Sequence, residues 1–354
     1  MTALYILIAI LLFGVLIAVH ELGHFAAAKA CGVRVEEFAI GMGPVIFKRK
    51  KGETEYSLRC VPFGGFCAMA GEDESSDDPR AFTNQAAWKR VIILAAGSFM
   101  NFLLGVILII AMYADAEAFT MPVIGEFMDG CPYESSEYFQ VGDEFYSVDG
   151  NRIYLSSDVS MFMERGSGSY DIVVLRNGEK VELKNVSLEK RVYEEYKNSG
   201  PKYGFIFSQE KNSFGTCLDY SWRTAKEFSR WVWLGLEELI HGAVKLDDMA
   251  GPVGIVDMMN NVGENSGSTD AAVKNMMYIS ALIAINLAIM NMLPIPALDG
   301  GRVFLLIVTL IIEKLTHKRL DPKYEGYIHL VGMVLLLGLM AIVMYNDIAK
   351  LIAR

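Results

Sequence analysis

Val19-His20-Glu21-Leu22-Gly23-His24-Phe25 interrupts a run that carries no charge from residue 3 to residue 19 and continues through Ala26-Ala27-Ala28-Lys29-Ala30. On a helix, positions 20 and 24 lie one turn apart on the same face, so two imidazoles can reach one point while Glu21 sits beside them. That spacing suits two metal ligands and a carboxylate base for an activated water. The bland alternative is three polar residues satisfied inside a helical bundle. Ionisable groups are costly in lipid, and a His-Glu-His triplet without a compensating partner has little structural use there, which favours the metal reading.

The rest of the chain says where this helix sits. Over 354 residues the composition is 53% hydrophobic with a mean hydropathy of +0.30, too apolar for an ordinary soluble enzyme, yet 21% charged, too polar for a bare helical bundle. Four stretches are charge-free over a bilayer-spanning length or close to it: residues 3 to 19, 91 to 114, 276 to 298 and 326 to 346. The first lacks a basic leader region and an A-x-A site, so a cleaved signal peptide is not expected. The five cysteines (Cys31, Cys60, Cys67, Cys131 and Cys217) form no C-x-x-C pair, so any zinc must use other ligands and no disulfide framework is indicated.

The net charge of -10 is unevenly spread. Basic residues crowd residues 29 to 90 (Lys29, Arg34, Lys48 to Lys51, Arg59, Arg80, Lys89, Arg90) and the short loop with Lys314, Lys318, Arg319 and Lys323. Positive residues favour the cytoplasmic side, which puts both termini and the long central region on the opposite side. No nucleic-acid partner is expected.

Residues 3 to about 30 read as one helix stopped by Gly32. Residues 33 to 71 suggest a β-ribbon beside the membrane, from the alternation in Glu55-Tyr56-Ser57-Leu58-Arg59-Cys60-Val61 and the turns at Gly41 to Pro44 and Gly64-Gly65. Gly71 to Pro79 is an acidic, solvated loop. Residues 115 to 210 form a water-soluble β-rich domain, with strands at 170 to 175 and 180 to 183 around Asn177-Gly178 and another pair in Val141 to Ile153. The Gly142-Asp143 and Asp149-Gly150 pattern resembles a PDZ domain, with Ile124-Gly125-Glu126-Phe127 near its peptide-binding loop. Residues 220 to 246 mix Trp222, Trp231 and Trp233 with many charges and read as interfacial rather than as a fifth crossing. The domains are then 1 to 114, 115 to 210, a linker region 211 to 275, and 276 to 354.

A third ligand is needed, and Asp299 is the candidate. It follows Asn291-Met292-Leu293-Pro294-Ile295-Pro296-Ala297-Leu298 at the end of the third segment, which runs from outside inward. Two prolines would break the helix there, tolerable in a membrane where protein or water satisfies the freed backbone. The alternative, Asp299 as a helix N-cap, places an expensive charge in lipid for a minor task.

The pairing of H-E-x-x-H with N-x-x-P-x-x-x-L-D-G-G resembles the site-2 protease family of intramembrane zinc metalloproteases. The closest branch is the bacterial one of regulated intramembrane proteolysis with a PDZ insertion. Residues 38 to 44, Pro62 to Phe66, Gly97-Ser98-Phe99-Met100-Asn101-Phe102 and Gly251 to Ile255 extend the likeness. It implies an α-helical polytopic protein of the bacterial plasma membrane with about four transmembrane helices, a cytoplasmic-side β-ribbon and an extracytoplasmic PDZ-like domain. It implies Zn2+ held by His20, His24 and Asp299, with Glu21 as general base and Asn286 and Asn291 holding the unwound substrate. The substrates would be single-pass membrane proteins such as an anti-sigma factor or a signal-peptide remnant, with a peptide or C-terminus at the PDZ-like domain. Several bacterial relatives carry two tandem PDZ domains; the room here suffices for one. An opened substrate could pair with the edge of the 53 to 67 ribbon, where proline at Tyr56 or Leu58 should interfere. Two other classes remain conceivable: a metal transporter, which would not need Glu21 as a base, and a catalytically silent PDZ scaffold.

Overall fold

The computed structural model describes residues 2–72, 76–135, 137–242, 250–317 and 323–353. Part of the expected acidic loop (73–75) and two of the expected cytoplasmic cations, Lys318 and Arg319, lie outside the described residues, as do 243–246 of the aromatic segment. The chain forms two units, one made of Met1–Ile109 with Phe228–Arg354 and one of Ile110–Glu227.

In the first unit, α1 (Thr2–Cys31) is a single helix through the polar motif. It stops where expected: Gly32 adopts φ 83, and Val33 N–H reaches back to Ala28 C=O at 2.8 Å, closing the last turn with a left-handed residue that a side chain would disfavour. Next come β1 (Val35–Lys51), β2 (Thr54–Met69) and α2 (Ala87–Tyr113), which runs on into the second unit. The chain returns to this unit partway along α4 (Phe214–Ile240), followed by α5 (Pro252–Asn265), α6 (Thr269–Asn291), α7 (Asp299–Thr316) and α8 (Lys323–Ala353).

Among the described residues four helices are long and apolar enough to cross a membrane: Tyr5–Cys31, Ala87–Tyr113, Thr269–Asn291 and Gly326–Ile352. The third differs from its charge-free stretch, starting seven residues earlier at Thr269 and ending at Asn291. Proline cannot continue a helix, so the chain leaves it ahead of Pro294 and Pro296. At the other end the charged residues that seemed to delimit the span are absorbed as an i,i+4 pair, Lys274 Nζ to Asp270 at 3.2 Å.

Tyr5, Ala9 and Leu16 of α1 pack with Met259 of α5 and Met276 and Ile283 of α6. Toward the other end of α1, Ala28 joins Val35, Cys67 and Met69 of the sheet and Ile93 and Leu94 of α2. The sheet is more than a ribbon. Glu37–Ile40 lie opposite Gly65–Ala68 on one side and opposite Glu55–Leu58 on the other, and Glu55–Leu58 also face Phe47–Lys50. Both strands therefore fold back on themselves, turning at Gly41 (φ 87), Gly43 (φ 81) and Gly64 (φ 96), into a sheet four segments wide. Tyr56 and Leu58 are interior; the Gly65–Met69 segment is an edge. The sheet stands along α1, with Glu53 at one end bonded to Lys29 at 2.8 Å and Gly65 at the other beside Ile17 and Glu21, roughly 18 Å away along the helix.

The second unit is a sheet in the order β7-β6-β4-β3-β8, made from β3 (Ala118–Phe127), β4 (Glu144–Val148), β6 (Ser169–Arg176), β7 (Glu179–Ser187) and β8 (Phe205–Lys211), with β5 (Asn151–Arg152) on β4 and α3 (Ser156–Arg165) against β3 and β4. Asn177 (φ 53) and Gly178 (φ 84) supply the two left-handed positions that a tight turn between β6 and β7 demands. Phe139 and Phe145 are fully buried with Phe205 between them at 5.1 and 5.6 Å. Asp143 is fully buried too, and its carboxylate accepts two 2.8 Å hydrogen bonds from Arg176, the paired arrangement that makes a buried charge tolerable. Ile124–Phe127, expected near a peptide-binding loop, form the end of β3, where Ile124, Glu126 and Phe127 pair with β8 and Ile124 also bonds to the Gly142-Asp143 backbone ahead of β4. The outer strands of this sheet are β7 and β8.

Candidate metal centre

Three segments converge within the first unit. α1 carries His20 and His24 on one face, and α7 begins at Asp299. Gly23 on the same turn is bare because a Cβ there would stand 2.3 Å from Ala96 C=O of α2, so the two helices touch through backbone. Between Asn291 and Asp299 the chain makes tight turns, with Ile295 N–H on Leu293 C=O at 2.7 Å and Leu298 N–H on Ile295 C=O at 3.2 Å. Gly300 and Gly301 make room for them, since their Cβ atoms would strike the Met292 and Ile295 carbonyls. Ala297 takes φ 78, an unfavourable value for a residue with a Cβ, and its N–H donates to His329 Nδ1 of α8 at 3.2 Å.

Asp299 Oδ2 lies 3.1 Å from His20 Nε2 and 3.3 Å from His24 Nε2, and the two Nε2 atoms are 3.2 Å apart. Both histidines are buried. The α7 N-cap position is Leu298, which makes no side-chain cap, and the Asp299 carboxylate faces the imidazoles. His24 Nδ1 faces Ile93 C=O at 2.8 Å. A carbonyl can only accept, so Nδ1 carries the proton and the Nε2 lone pair points at His20 and Asp299. Lone-pair atoms facing one another so closely are unfavourable unless a cation lies among them. Donors bonded to zinc at about 2.0–2.1 Å in a tetrahedral arrangement lie roughly 3.3 Å from one another, and two imidazoles with one carboxylate are an open catalytic zinc set. The residues present fit zinc.

Around His20, His24 and Asp299 are groups that the sequence did not single out by role. Gly97 of α2 lies against both rings, its missing Cβ 2.4 Å from His24 Nε2 and 2.8 Å from His20 Nε2. Asn101, one turn on, has its amide 3.3 Å from His20 Nδ1. The Gly65–Met69 edge runs past the Glu21 side chain, with Gly65 against its Cγ and the Cys67 backbone beside its carboxylate. The four-residue spacing of Gly97 and Asn101 is a visible signal, but nothing local tells which helix such a stripe will face. Asn286 is exposed on α6 and Asn291 is its last residue; neither belongs to the three-ligand cluster.

The model of peptidase family M50 matches residues 8–339. A protein of Clostridium perfringens bearing a zinc metalloprotease name is 35% identical, with 98% of each chain covered. The regulator of sigma-W protease RasP of Bacillus subtilis is 28% identical over 97% of each chain. The zinc metalloprotease RasP of Bacillus licheniformis is 29% identical, covering 97% of this chain and 98% of that one.

Proposed function

Because the chain belongs to peptidase family M50, a multi-pass intramembrane zinc metalloprotease, we propose that it cleaves transmembrane segments of other membrane proteins with His20, His24 and Asp299 as zinc ligands and Glu21 as general base. The observation that carries the assignment is the meeting of Asp299 with both imidazoles, within 3.3 Å, at the break between α6 and α7. Held by these three residues, zinc would supply Lewis acidity toward the scissile carbonyl and the attacking water. Glu21, with the Cys67 backbone beside its carboxylate, takes the proton of the attacking water and returns it to the leaving amine.

A helical substrate hides its carbonyls in its own hydrogen bonds and must open before attack. The Gly65–Met69 edge beside Glu21 supports a reading in which the opened segment adds to the sheet as a further strand, its carbonyl delivered to the base. Asn286 and Asn291 would hold the same unwound stretch from α6.

Basic residues between Lys29 and Arg90 and the cation Lys314 favour a cytoplasmic placement of the sheet and of the α7–α8 connection. The termini and the second unit are then extracytoplasmic, and α4, charged along its length, lies at the interface. The second unit reads as one PDZ-like domain, with the outer strand β8 as the site for a peptide or a new C-terminus. The name of the Bacillus subtilis relative supports a signalling role, such as anti-sigma factor cleavage, with signal-peptide remnants as a second substrate class.

The test is Glu21→Gln in the purified full-length protein. Zinc content should stay at the wild-type level while cleavage of a reconstituted transmembrane substrate falls by about 10²–10⁴-fold. Undiminished cleavage by the zinc-loaded variant would remove Glu21 from the mechanism.

A further inference from the structure

Asn101 is fully buried, and its Oδ1 has no hydrogen-bond partner, while its Nδ2 lies 3.3 Å from His20 Nδ1. A buried, unsatisfied amide oxygen is costly and calls for an explanation. With Nδ2 donating, His20 Nδ1 would have to keep its lone pair, and its proton would sit on Nε2. That proton would point at His24 and Asp299, which disables His20 as a ligand. Turning the amide by half a rotation exchanges its oxygen and nitrogen in nearly the same space. The oxygen then accepts from His20 Nδ1–H, the orphaned acceptor is satisfied, and the Nε2 lone pair is aimed at the other two ligands.

Resting on the ligand assignment above, we propose that Asn101 is a positioning residue that accepts a hydrogen bond from His20 Nδ1–H and fixes this imidazole as a metal ligand. The neighbouring contacts follow the same design. Ile93, Gly97 and Asn101 stand at intervals of four on α2, a single stripe facing the ligand pair. Ile93 offers its carbonyl to His24 at 2.8 Å, Gly97 lends space to both rings, and Asn101 serves His20. Each ligating histidine thereby has its own acceptor on α2. Metal-bound imidazoles generally donate their second N–H to such a partner, which sets the tautomer and raises ligand basicity.

The experiment compares Asn101→Leu, which keeps the volume and removes the acceptor, with Asn101→Asp, which keeps the acceptor and removes the donor. Zinc affinity is read by chelator competition on full-length protein in detergent, for variants whose zinc-free thermal unfolding matches that of the wild type. Should the aspartate variant fail that condition, Asn101→Thr serves as the acceptor variant. The cobalt-substituted absorption spectrum reports ligand geometry independently of turnover. Asn101→Leu is expected to weaken zinc by about 10–100-fold and to alter the cobalt bands, with the acceptor variant close to wild type. Two results would overturn the proposal: undiminished zinc affinity in Asn101→Leu, or an acceptor variant as defective as the leucine. His20→Ala, measured alongside, should abolish zinc binding; if it does not, the ligand assignment itself fails, and that outcome is separate from failure of the Asn101 role.

Discussion

A Cβ built on Gly97 would lie 2.4 Å from His24 Nε2, closer than any side chain could stand to a ligand atom, so α2 meets the metal centre with bare backbone. Neither ring can retreat without leaving Asp299. Gly97→Ala should therefore insert and fold but bind zinc poorly. Overpacking of roughly 1–3 kcal/mol corresponds to a loss of about 5–150-fold in affinity. Metal analysis of the purified variant decides it; full zinc occupancy at wild-type affinity would show that the rings have room to move.

Tyr56 lies opposite both Arg49 and Phe38, and Leu58 opposite both Phe47 and Ile40. A proline at either place removes a ladder donor from an interior strand. We expect Tyr56→Pro and Leu58→Pro to lower the thermal stability of the protein in detergent and to abolish cleavage together with the sheet. Normal stability with cleavage selectively lost would instead place the substrate strand at this segment.

The Arg80 guanidinium and the Lys29 ammonium hold the Glu53 carboxyl at about 2, below its ordinary 4.5. The contribution of these contacts is complete above pH 4.5 and disappears as the pH falls through about 2. Glu53→Gln should unfold at a lower temperature than the wild type at neutral pH. The gap should be small, because the pair is exposed, and should narrow across that acid window and in high salt. A gap that persists unchanged at pH 2 would assign the effect to something other than this charge.

Asp347 of α8 is buried and its carboxylate accepts from Gly254 N–H at 2.8 Å, in the first turn of α5, whose own N-cap residue Gly251 offers no side chain. The cap is thus supplied from another helix. Asp347→Ala should cost about 1 kcal/mol, as for other lost caps. Gly254→Ala, whose Cβ would stand 2.8 Å from Asp347 Oδ1, should destabilise by a similar route. Thermal unfolding of both single variants and the double variant checks the coupling; additive losses would mean that the contact is not shared.

Periodicity and local chemistry were enough for much of this. An uncharged run long enough to cross a bilayer, a His-Glu-His turn within it, a glycine that can end the helix and an Asn-Gly pair that can reverse a strand all act over a few residues, so their signals are contiguous in the chain. The pairing of His20 and His24 was legible for that reason, and Asp299 followed from charge, proline and depth.

What stayed hidden depends on contacts between segments remote in the chain. The third span shifted because prolines outweighed its apolar tail. The apparent ribbon became a sheet with Tyr56 inside and Gly65 at the edge, because each strand folds back on itself. Ile124–Phe127 turned out to be strand residues paired with β8. Above all, the face of α2 that carries Ile93, Gly97 and Asn101 is chosen by its approach to α1 at Gly23, where backbone meets backbone. Residue types and spacing are local properties, and they supplied the candidate ligands. Which helix face, which strand edge and which amide surround those ligands is set by packing, whose energies belong to pairs of segments and leave no mark on either one alone.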